Sequence, residues 1–323
     1  MSVFEHPEFD NHEHVAFYAD AATGLKAIIA IHNTHLGPAL GGCRMWPYLN
    51  SSEALTDVLR LSKGMTYKAA MANLQQGGGK AVIIGDPRKH KSPEFMQAMG
   101  RFVESLSGQY ITAEDSGITV DDLKAVATQT EHVAGTFAQY NALGESPTGN
   151  PAPSTAYGVF VGLKQTVKHV LNSDLNGVKV AIQGMGHVGY RLAKQLHAEG
   201  AQLYVADIFP EGLARAQEEL GATIVEPEEI LSLPVDVLAP CAMGSSINDE
   251  SLPDIRARII AGAANNQLAR EELGTVLHKK GICYAPDYVI NAGGIIDIYH
   301  QKQADSSDQI MREHLAKIGD TLI

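Results

Sequence analysis

The feature that most restricts the fold is a glycine motif between a predicted strand and a predicted helix. Residues 178–183 form an apolar run, Gly184-Met185-Gly186-His187-Val188-Gly189 follows it directly, and an amphipathic helical pattern covers residues 187–199. A second apolar run, residues 202–206, leads into Asp207, at about the 20-residue distance of the βαβ fingerprint. Glycines alone are common, but this strand, helix and acid together indicate a dinucleotide-binding unit.

Each glycine of the motif has a physical task. Gly184 is expected to allow a tight turn, and Gly186 to let the backbone approach a pyrophosphate at the positive end of the helix. Gly189 is expected to allow close packing of helix on strand. His187 and Val188 lie between these glycines, so we place both in the same cofactor-binding loop.

The acid after the second strand selects the cofactor. Asp207 is expected to accept hydrogen bonds from the adenosine ribose hydroxyls. Its carboxylate would repel a 2′-phosphate, and the next two residues, Ile208 and Phe209, supply no cation. The sequence therefore favours NAD over NADP.

The periodicity of apolar residues predicts an α/β fold with two domains. Residues 1–140 are predicted to form an N-terminal α/β domain, and residues 141–300 a Rossmann-type doubly wound dinucleotide-binding domain. The first domain has predicted strands at residues 15–19, 25–32, 81–84 and 110–113, and predicted helices at residues 52–74, 92–106 and from Thr119 onward. Its glycine-rich stretches, residues 37–42 and 77–79, contain no predicted strand.

The domain boundary and the end of the chain are also predicted. Residues 140–153 are rich in Asn, Gly, Ser and Pro, which is typical of a linker or hinge. Residues 301–323 end in a helical pattern, and we expect this C-terminal helix to return to the first domain.

The composition disfavours several classes of function. A formal net charge of −12 is unfavourable for binding nucleic acid or an anionic membrane. The apolar runs are too short to span a bilayer, and the N-terminus lacks the pattern of a signal peptide, so we expect a cytoplasmic protein. No metal site is predicted, because His12 and His14, the closest histidine pair, have no further ligand nearby.

Two lysines and an acid in the first domain suggest catalysis. Lys68 lies among apolar residues, and Lys80 follows three glycines at the start of a predicted strand. Desolvation disfavours a charged ammonium group, so a lysine in such a setting can act as a base near neutral pH. Glu114 and Asp115 end another short strand. A lysine beside a carboxylate, with a second lysine for an anionic substrate, is suited to amino-acid chemistry.

The chain resembles the leucine, valine and phenylalanine dehydrogenases of the glutamate dehydrogenase superfamily, and among them most of all the leucine enzymes. The matching segments include the glycine motif above and run in the family's order over nearly the whole chain. They are Gly37-Pro38-Ala39-Leu40-Gly41-Gly42-Cys43-Arg44-Met45, Lys63-Gly64-Met65-Thr66-Tyr67-Lys68, Gly77-Gly78-Gly79-Lys80-Ala81, Ala113-Glu114-Asp115, Ala239-Pro240-Cys241-Ala242, Ala264-Asn265-Asn266-Gln267-Leu268 and Pro286-Asp287-Tyr288-Val289-Ile290-Asn291-Ala292-Gly293-Gly294.

The resemblance implies an NAD-dependent oxidative deamination, reversible, that yields a 2-oxo acid and ammonia. It implies that Lys68 binds the substrate carboxylate with help from Gly41 and Gly42. It also implies that Lys80 is the general base and that Asp115 moves a proton to or from the amino group.

The resemblance further implies that Thr155, Asn265 and Asn266 help hold the nicotinamide and the substrate. The first domain would bind substrate and form the contacts of a homo-oligomer, a dimer or an octamer.

By the same resemblance, the pocket for the substrate side chain should be lined by apolar residues, which are Leu40, Ala113, Ile290 and Ile295. A charged side chain would be desolvated there without a partner, at a cost of several kcal/mol. We therefore expect a branched-chain aliphatic substrate, namely leucine, valine or isoleucine. Two alternatives stay open. The first is a dehydrogenase for a different amino acid, either an aromatic one such as phenylalanine or tryptophan or an acidic one. The second is a non-catalytic NAD-binding protein.

Overall fold

The computed structural model describes residues 2–136, 150–242, 244–303 and 305–323. The chain divides into two compact units, the first comprising Met1–Asn150 and Ile298–Ser306, the second Pro151–Asp297 and Ser307–Ile323. The break after Asn150 falls within the predicted boundary, of which residues 140–149 lie outside the described part. Within the described ranges, no helix combines the length and the hydropathy needed to cross a membrane.

The first unit contains a mixed five-stranded sheet in the order β1-β2-β4-β3-β5. Its strands are β1 His14–Asp20, β2 Leu25–Asn33, β3 Ala39–Trp46, β4 Gly77–Ile84 and β5 Tyr110–Glu114, and its helices are α1 Ser51–Met71, α2 Pro93–Glu104 and α3 Val120–Ala127, with a short 3-10 turn at Val3–Glu5. β1, β2 and β4 pair antiparallel, whereas β3 pairs parallel with both β4 and β5.

Side-chain caps begin α2 and α3, the helices predicted to start at Ser92 and Thr119. The Ser92 hydroxyl accepts a hydrogen bond from the Phe95 amide, with Pro93 in the first turn of α2. Thr119 and Asp122 form a reciprocal capping box at the start of α3. These caps satisfy amides that have no partner inside the helix.

Both glycine-rich stretches, for which no strand was predicted, are largely strand. β3 begins at Ala39 and β4 at Gly77. A Cβ atom on Gly41 would lie only 1.8 Å from the Gly79 carbonyl oxygen, and one on Gly78 would lie 2.1 Å from the Thr66 amide nitrogen. The glycines allow close approach of neighbouring backbones, which is why glycine occurs here despite its low strand propensity.

The second unit is a six-stranded parallel sheet in the order β11-β10-β9-β6-β7-β8. The strand that precedes the glycine motif is central, and the order is that of a Rossmann fold. The strands are β6 Lys179–Gln183, β7 Gln202–Ala206, β8 Thr223–Ile224, β9 Val237–Pro240, β10 Ile259–Ile260 and β11 Cys283–Tyr284. The helices are α4 Ala152–Leu171, α5 His187–Ala198, α6 Pro210–Leu220, α7 Glu272–Lys279, α8 Asp287–Ile290, α9 Gly293–Gln301 and α10 Asp308–Thr321, with a 3-10 turn at Ile230–Ser232. Residues 298–301 of α9 are counted with the first unit. The predicted doubly wound domain is confirmed.

The C-terminal helix does not return to the first unit, and that prediction was wrong. α10 belongs to the second unit, where it packs on α4. A Cβ atom on Gly158 of α4 would lie 2.6 Å from Cδ1 of Ile318, so a glycine allows the two helices to pack closely. The segment that belongs to the first unit is the shorter stretch Ile298–Ser306.

A buried histidine attaches the N-terminal segment to α1. His12 is 7% exposed, and its Nε2 lies 3.0 Å from the Leu59 carbonyl oxygen and 3.0 Å from the Ser62 hydroxyl. Its Nδ1 accepts a hydrogen bond from the Asp10 amide. The accepting Nδ1 and the neighbouring carbonyl indicate a neutral imidazole with its proton on Nε2.

We expect the free energy of unfolding to decrease as the pH falls from 6.5 to about 4. Burial, the largest effect, lowers the pKa of His12 from 6.5 to about 4, so the unfolded chain binds a proton first. The stabilisation is complete above pH 6.5 and is lost toward pH 4, by on the order of 2 kcal/mol. Urea unfolding across this range measures the change. His12→Gln should reduce the slope, and an unchanged slope in that variant would contradict this origin.

Candidate active site

One face of the first-unit sheet holds most of the residues predicted to act on substrate. Leu40 pairs with Gly78, Gly42 pairs with Ala113, and Lys80 pairs with Ala30. Side chains alternate along a strand, so these residues lie on the face opposite the core that contains Cys43 and Tyr110. α1 packs on the same face as Lys80, where Leu59 and Val82 belong to one apolar cluster.

Lys80 and Asp115 meet in a buried ion pair. Lys80 is only 4% exposed, and its ammonium group contacts the Asp115 carboxylate. A Cβ atom on Gly42 would lie 2.7 Å from the Asp115 Cβ, so the glycine makes room for the acid. Burial on its own raises the pKa of Asp115, but the positive charges of Lys80 and Arg44 outweigh it and hold that pKa well below its usual range. The pair therefore holds a carboxylate in its charged form beside a lysine.

The neighbouring acid does not join this pair. Glu114 is opposite Cys43 in the β3–β5 register, so it points away from the face that holds Lys80. Burial, and then the charge of Asp115, raise the pKa of Glu114. Of the two acids that end β5, only Asp115 is placed to exchange a proton with Lys80.

Sequence reasoning missed a second set of partners for Asp115. Nε of Arg44 lies 3.4 Å from Oδ2 of Asp115, and Nη1 of Arg44 lies 3.0 Å from Oδ2 of Asp57. The Tyr48 hydroxyl donates to the same Asp57 oxygen at 2.6 Å. Arg44 lies in one of the segments that match the family, but the sequence analysis gave it no role. The spacing along the chain did not show that β3 and β5 are adjacent.

Lys68 lies in the last turn of α1 and is 9% exposed. Gly78 lets α1 approach β4 closely at Thr66, two residues before Lys68. The helix that holds Lys68 therefore packs directly on the strand that holds Lys80. This placement agrees with burial of both lysines, as the sequence predicted.

The four residues predicted to line the side-chain pocket do not behave alike. Leu40 and Ala113 are buried on the face that holds Lys80. Ile295 lies in the first turn of α9 and is also buried. Ile290 is 0% exposed and belongs to the main core of the second unit, close to Gly162. The place of Ile290 in the side-chain pocket stays a prediction.

The glycine loop of the second unit has the geometry that a dinucleotide needs. Gly184 has φ +101°, a conformation that side chains rarely adopt, and a Cβ on Gly189 would lie 1.9 Å from the Gly184 carbonyl oxygen. A Cβ on Gly186 would meet no described heavy atom within 4 Å. Gly186 is also the N-cap of α5 and places no side chain on the helix amides, so His187, Val188 and their neighbours leave those amides open to a phosphate. These residues fit the pyrophosphate of the dinucleotide that the motif implies.

Asp207 lies beside this loop. One carboxylate oxygen accepts a hydrogen bond from the Met185 amide at 2.5 Å, and the other accepts from the Phe209 amide at 2.9 Å. Ile208 and Phe209 after it are exposed. The acid is therefore fixed next to the glycines, and each oxygen keeps a lone pair for a further donor.

The remaining predicted residues of the second unit occupy two places. The Thr155 hydroxyl donates to the Pro151 carbonyl in the first turn of α4. Asn265 is exposed, and its Oδ1 accepts a hydrogen bond from Nδ2 of Asn291 at 2.9 Å. Asn266 adopts φ +49°, and its carbonyl accepts from the Ser245 amide. Asn291, which sequence reasoning gave no role, thus fixes how the Asn265 amide is oriented.

Comparison with known proteins agrees with this geometry. Residues 12–132 match the model of the Glu/Leu/Phe/Val dehydrogenase dimerisation domain, and residues 149–208 and 209–318 match that of the Glutamate/Leucine/Phenylalanine/Valine dehydrogenases. The chain belongs to this family. The family predicted from the sequence is confirmed, and the chain is an amino-acid dehydrogenase that acts on a CH–NH2 group, in a family whose members use a nicotinamide cofactor.

Similar family members differ in substrate. Leucine dehydrogenase from Bacillus cereus is 49% identical over 325 residues, which cover 98% of this chain and 87% of that protein. L-tryptophan dehydrogenase from Nostoc punctiforme is 46% identical, and its crystal structure has a TM-score of 0.76 over 97% of this chain and 88% of that one. Phenylalanine dehydrogenase from Lysinibacillus sphaericus is 47% identical over 93% of this chain and 79% of that protein. Family membership therefore leaves the substrate open among these.

Proposed function

We propose that this dehydrogenase oxidatively deaminates branched-chain aliphatic L-amino acids, namely leucine, valine and isoleucine, with NAD, and that the reaction is reversible. The observation that supports this most is the buried Lys80–Asp115 pair on a sheet face whose neighbours Leu40 and Ala113 are apolar. The polar pair supplies proton transfer, and the apolar neighbours suit an uncharged aliphatic side chain.

In this proposal, the residues of the first unit manage the substrate and its protons. Lys68 binds the substrate carboxylate, and the glycines Gly41 and Gly42 leave room for the α-carbon group. The ammonium group of the substrate first gives a proton to Asp115. The cofactor, when bound, would accept the hydride that leaves the α-carbon, which leaves a protonated imine. Lys80 then takes a proton from a water molecule as that water attacks the imine carbon.

Asp115 completes the cycle by returning its proton to the amino nitrogen. Ammonia leaves as the C–N bond breaks, while the new hydroxyl group loses its proton and becomes the carbonyl. The balance is one zwitterionic amino acid, one water and one NAD⁺ consumed, with one 2-oxo acid, one ammonium ion, one NADH and one proton formed. Asn265, held by Asn291, donates to the substrate or the nicotinamide amide. Thr155 and Asn266 are assigned to the nicotinamide end.

The preference for an aliphatic substrate rests on desolvation. A glutamate side chain placed beside Leu40 and Ala113 would lose its hydration without gaining a cationic partner, at a cost of several kcal/mol. The three aliphatic substrates differ by at most a methylene or its position, which is worth about 1–3 kcal/mol in such a pocket. All three are therefore expected to react.

An aromatic substrate is the second candidate, because two aromatic amino-acid dehydrogenases are 46% and 47% identical to this chain. The discriminating experiment is NADH formation at alkaline pH with leucine, valine, isoleucine, phenylalanine, tryptophan and glutamate, each at matched concentration. Turnover of the aliphatic three with little from the others supports the proposal. A higher kcat/KM for phenylalanine or tryptophan would replace it with the aromatic candidate, and turnover of glutamate would contradict the pocket argument.

The choice of NAD rests on Asp207, and we expect Asp207→Ala to raise the KM for NAD about tenfold, equivalent to about 1.4 kcal/mol. The KM for the amino acid should stay the same, because the acid lies beside the glycine loop. Asp174→Ala is the matched control, since Asp174 is another acid of this unit that accepts a backbone amide. An unchanged KM for NAD in the Asp207 variant would contradict the ribose role.

The proposal also includes a homo-oligomer, a dimer or an octamer assembled through the first unit. It is supported by the description of the family model that matches residues 12–132 as a dimerisation domain. A monomer in sedimentation velocity at micromolar concentration would contradict it.

A further inference from the structure

Among the described ion pairs of Asp115, the one with Arg44 has no task in the mechanism above. Its guanidinium bridges two acids, with Nε 3.4 Å from Asp115 and Nη1 3.0 Å from Asp57. Asp57 lies on α1, and Tyr48 donates a hydrogen bond to it. Asp115 therefore lies between two cations, Lys80 and Arg44, and the second of these is shared with another carboxylate.

This arrangement matters because Lys80 must lose its charge to act as a base. When Lys80 is neutral, a buried Asp115 with no other partner would be an uncompensated charge in a site of low dielectric. A guanidinium remains charged at every pH of interest, so Arg44 keeps a counter-charge on Asp115 throughout the cycle. Although burial alone lowers the pKa of Arg44, the charges of Asp115 and Asp57 raise it above its ordinary value.

We propose that Arg44 is a positioning residue for the deamination: together with Asp57, it sets how strongly Asp115 holds the proton of Lys80. This inference rests on the proposed function, since it concerns the same lysine and acid. Asp57 reduces the positive charge that Arg44 presents to Asp115, and Tyr48 keeps Asp57 in place. The three residues act on the reaction through Asp115 and not by touching substrate.

Several other groups surround the pair and define its electrostatic setting. α1, which packs on this face, contains both Asp57 and Lys68. Among the described residues, the titratable groups Cys43, Tyr48, Tyr110 and Glu114 also interact electrostatically with Asp115. Burial, followed by the charge of Asp115, raises the pKa of the Cys43 thiol to about 12, so this group stays neutral in the working range.

The two partners of the Arg44–Asp57 pair should have opposite effects on the pH dependence. Removing the positive charge with Arg44→Gln favours protonated Lys80, so the ascending limb of kcat/KM for amino-acid oxidation should move to higher pH by about one unit. In Asp57→Asn the negative charge that partly neutralises Arg44 is removed. The full positive charge of Arg44 then disfavours protonated Lys80, so the ascending limb should move to lower pH. A purely structural ion pair would give the same effect whichever partner is removed.

The test is the pH profile of kcat/KM for wild type, Arg44→Gln, Arg44→Lys and Asp57→Asn, with Arg101→Gln as the control. Arg101 forms a similar ion pair with Asp20 at 2.9 Å on α2, away from this face. Opposite shifts for Arg44→Gln and Asp57→Asn, a partial return in Arg44→Lys and no shift in the control are expected. Shifts in the same direction, or none, would overturn the inference.

A second readout does not depend on turnover. The carboxyl carbon-13 resonance of Asp115 also senses proton loss from its partner Lys80, so in the protein without substrate its alkaline transition should lie at higher pH in Arg44→Gln than in wild type. An unchanged titration would overturn the inference even if Arg44→Gln were inactive. Failure of the proposed function is distinguishable, because then wild type itself would fail to oxidise any amino acid of the panel.

Discussion

Replacing Lys80 by alanine is expected to lower kcat for amino-acid oxidation by about a thousandfold, within the range that a positioned acid or base contributes. The variant removes the only lysine that contacts Asp115 among the described ion pairs, and with it the group that takes a proton from water. NADH binding, measured by fluorescence titration, should stay within a factor of about two, because the cofactor residues belong to the other unit.

The matched control for this variant is Lys89→Ala. Lys89 pairs with Asp86 at 3.1 Å, but its side chain is 75% exposed, so its loss should leave kcat and stability nearly unchanged. Two results would contradict the role of Lys80. One is near-normal turnover in Lys80→Ala, and the other is loss of NADH binding, which would show that the lysine serves the cofactor instead.

Replacing Gly186 by alanine is expected to weaken NADH binding about a hundredfold, or about 2.7 kcal/mol, without unfolding the protein. A methyl group at this position meets no described heavy atom within 4 Å, so the fold should tolerate it. The same space is where a pyrophosphate would approach the first amides of α5. Calorimetric titration with NADH measures the loss.

Gly274→Ala is the control for this prediction. Gly274 lies in α7 of the same unit, and its nearest neighbour to a new Cβ is the Leu268 Cδ1 at 3.6 Å, an ordinary contact. Both variants should melt within a few degrees of wild type, and only Gly186→Ala should lose affinity. Equal NADH affinity in both variants would mean that the loop does not bind the pyrophosphate.

Local signals were enough to predict the dinucleotide-binding sheet of the second unit. A glycine motif, a helix of regular period and an acid at the end of the next strand are all close in sequence, and together they fixed the central strand of the sheet. The same holds for the caps at Ser92 and Thr119, where each residue bonds to an amide three positions away. Features that depend on residues close together in the sequence could be predicted from the sequence alone.

Features that depend on contacts between distant segments were missed. β3 was not predicted because glycine has low strand propensity, and only the neighbouring backbone at Gly79 explains Gly41. Arg44 gained a role only when the parallel register placed it near Asp115. α10 was assigned to the wrong unit because an amphipathic pattern identifies a buried face but not the surface that covers it.

Only part of the candidate site could be predicted from the sequence. Lys80 and Asp115 were chosen for their residue types and settings, and their ion pair was then found in the structure. Ile290 was chosen because it is apolar and lies in a matching segment. Its side chain packs in the core of the second unit, and its place in the pocket stays a prediction. A charged residue in an apolar stretch is unusual and can be recognised from the sequence. An apolar residue that lines a pocket cannot be distinguished in the sequence from one in the core.

The most direct test of the account follows the hydrogen atom on the α-carbon. L-leucine deuterated at carbon 2 is oxidised with NAD, and mass spectrometry of the reduced cofactor, the 2-oxo acid and the released ammonia gives the stoichiometry. The account predicts one deuterium in each NADH, with one 2-oxo acid and one ammonia formed per cofactor reduced. Deuterium lost to water, or no consumption of leucine by folded protein, would contradict it.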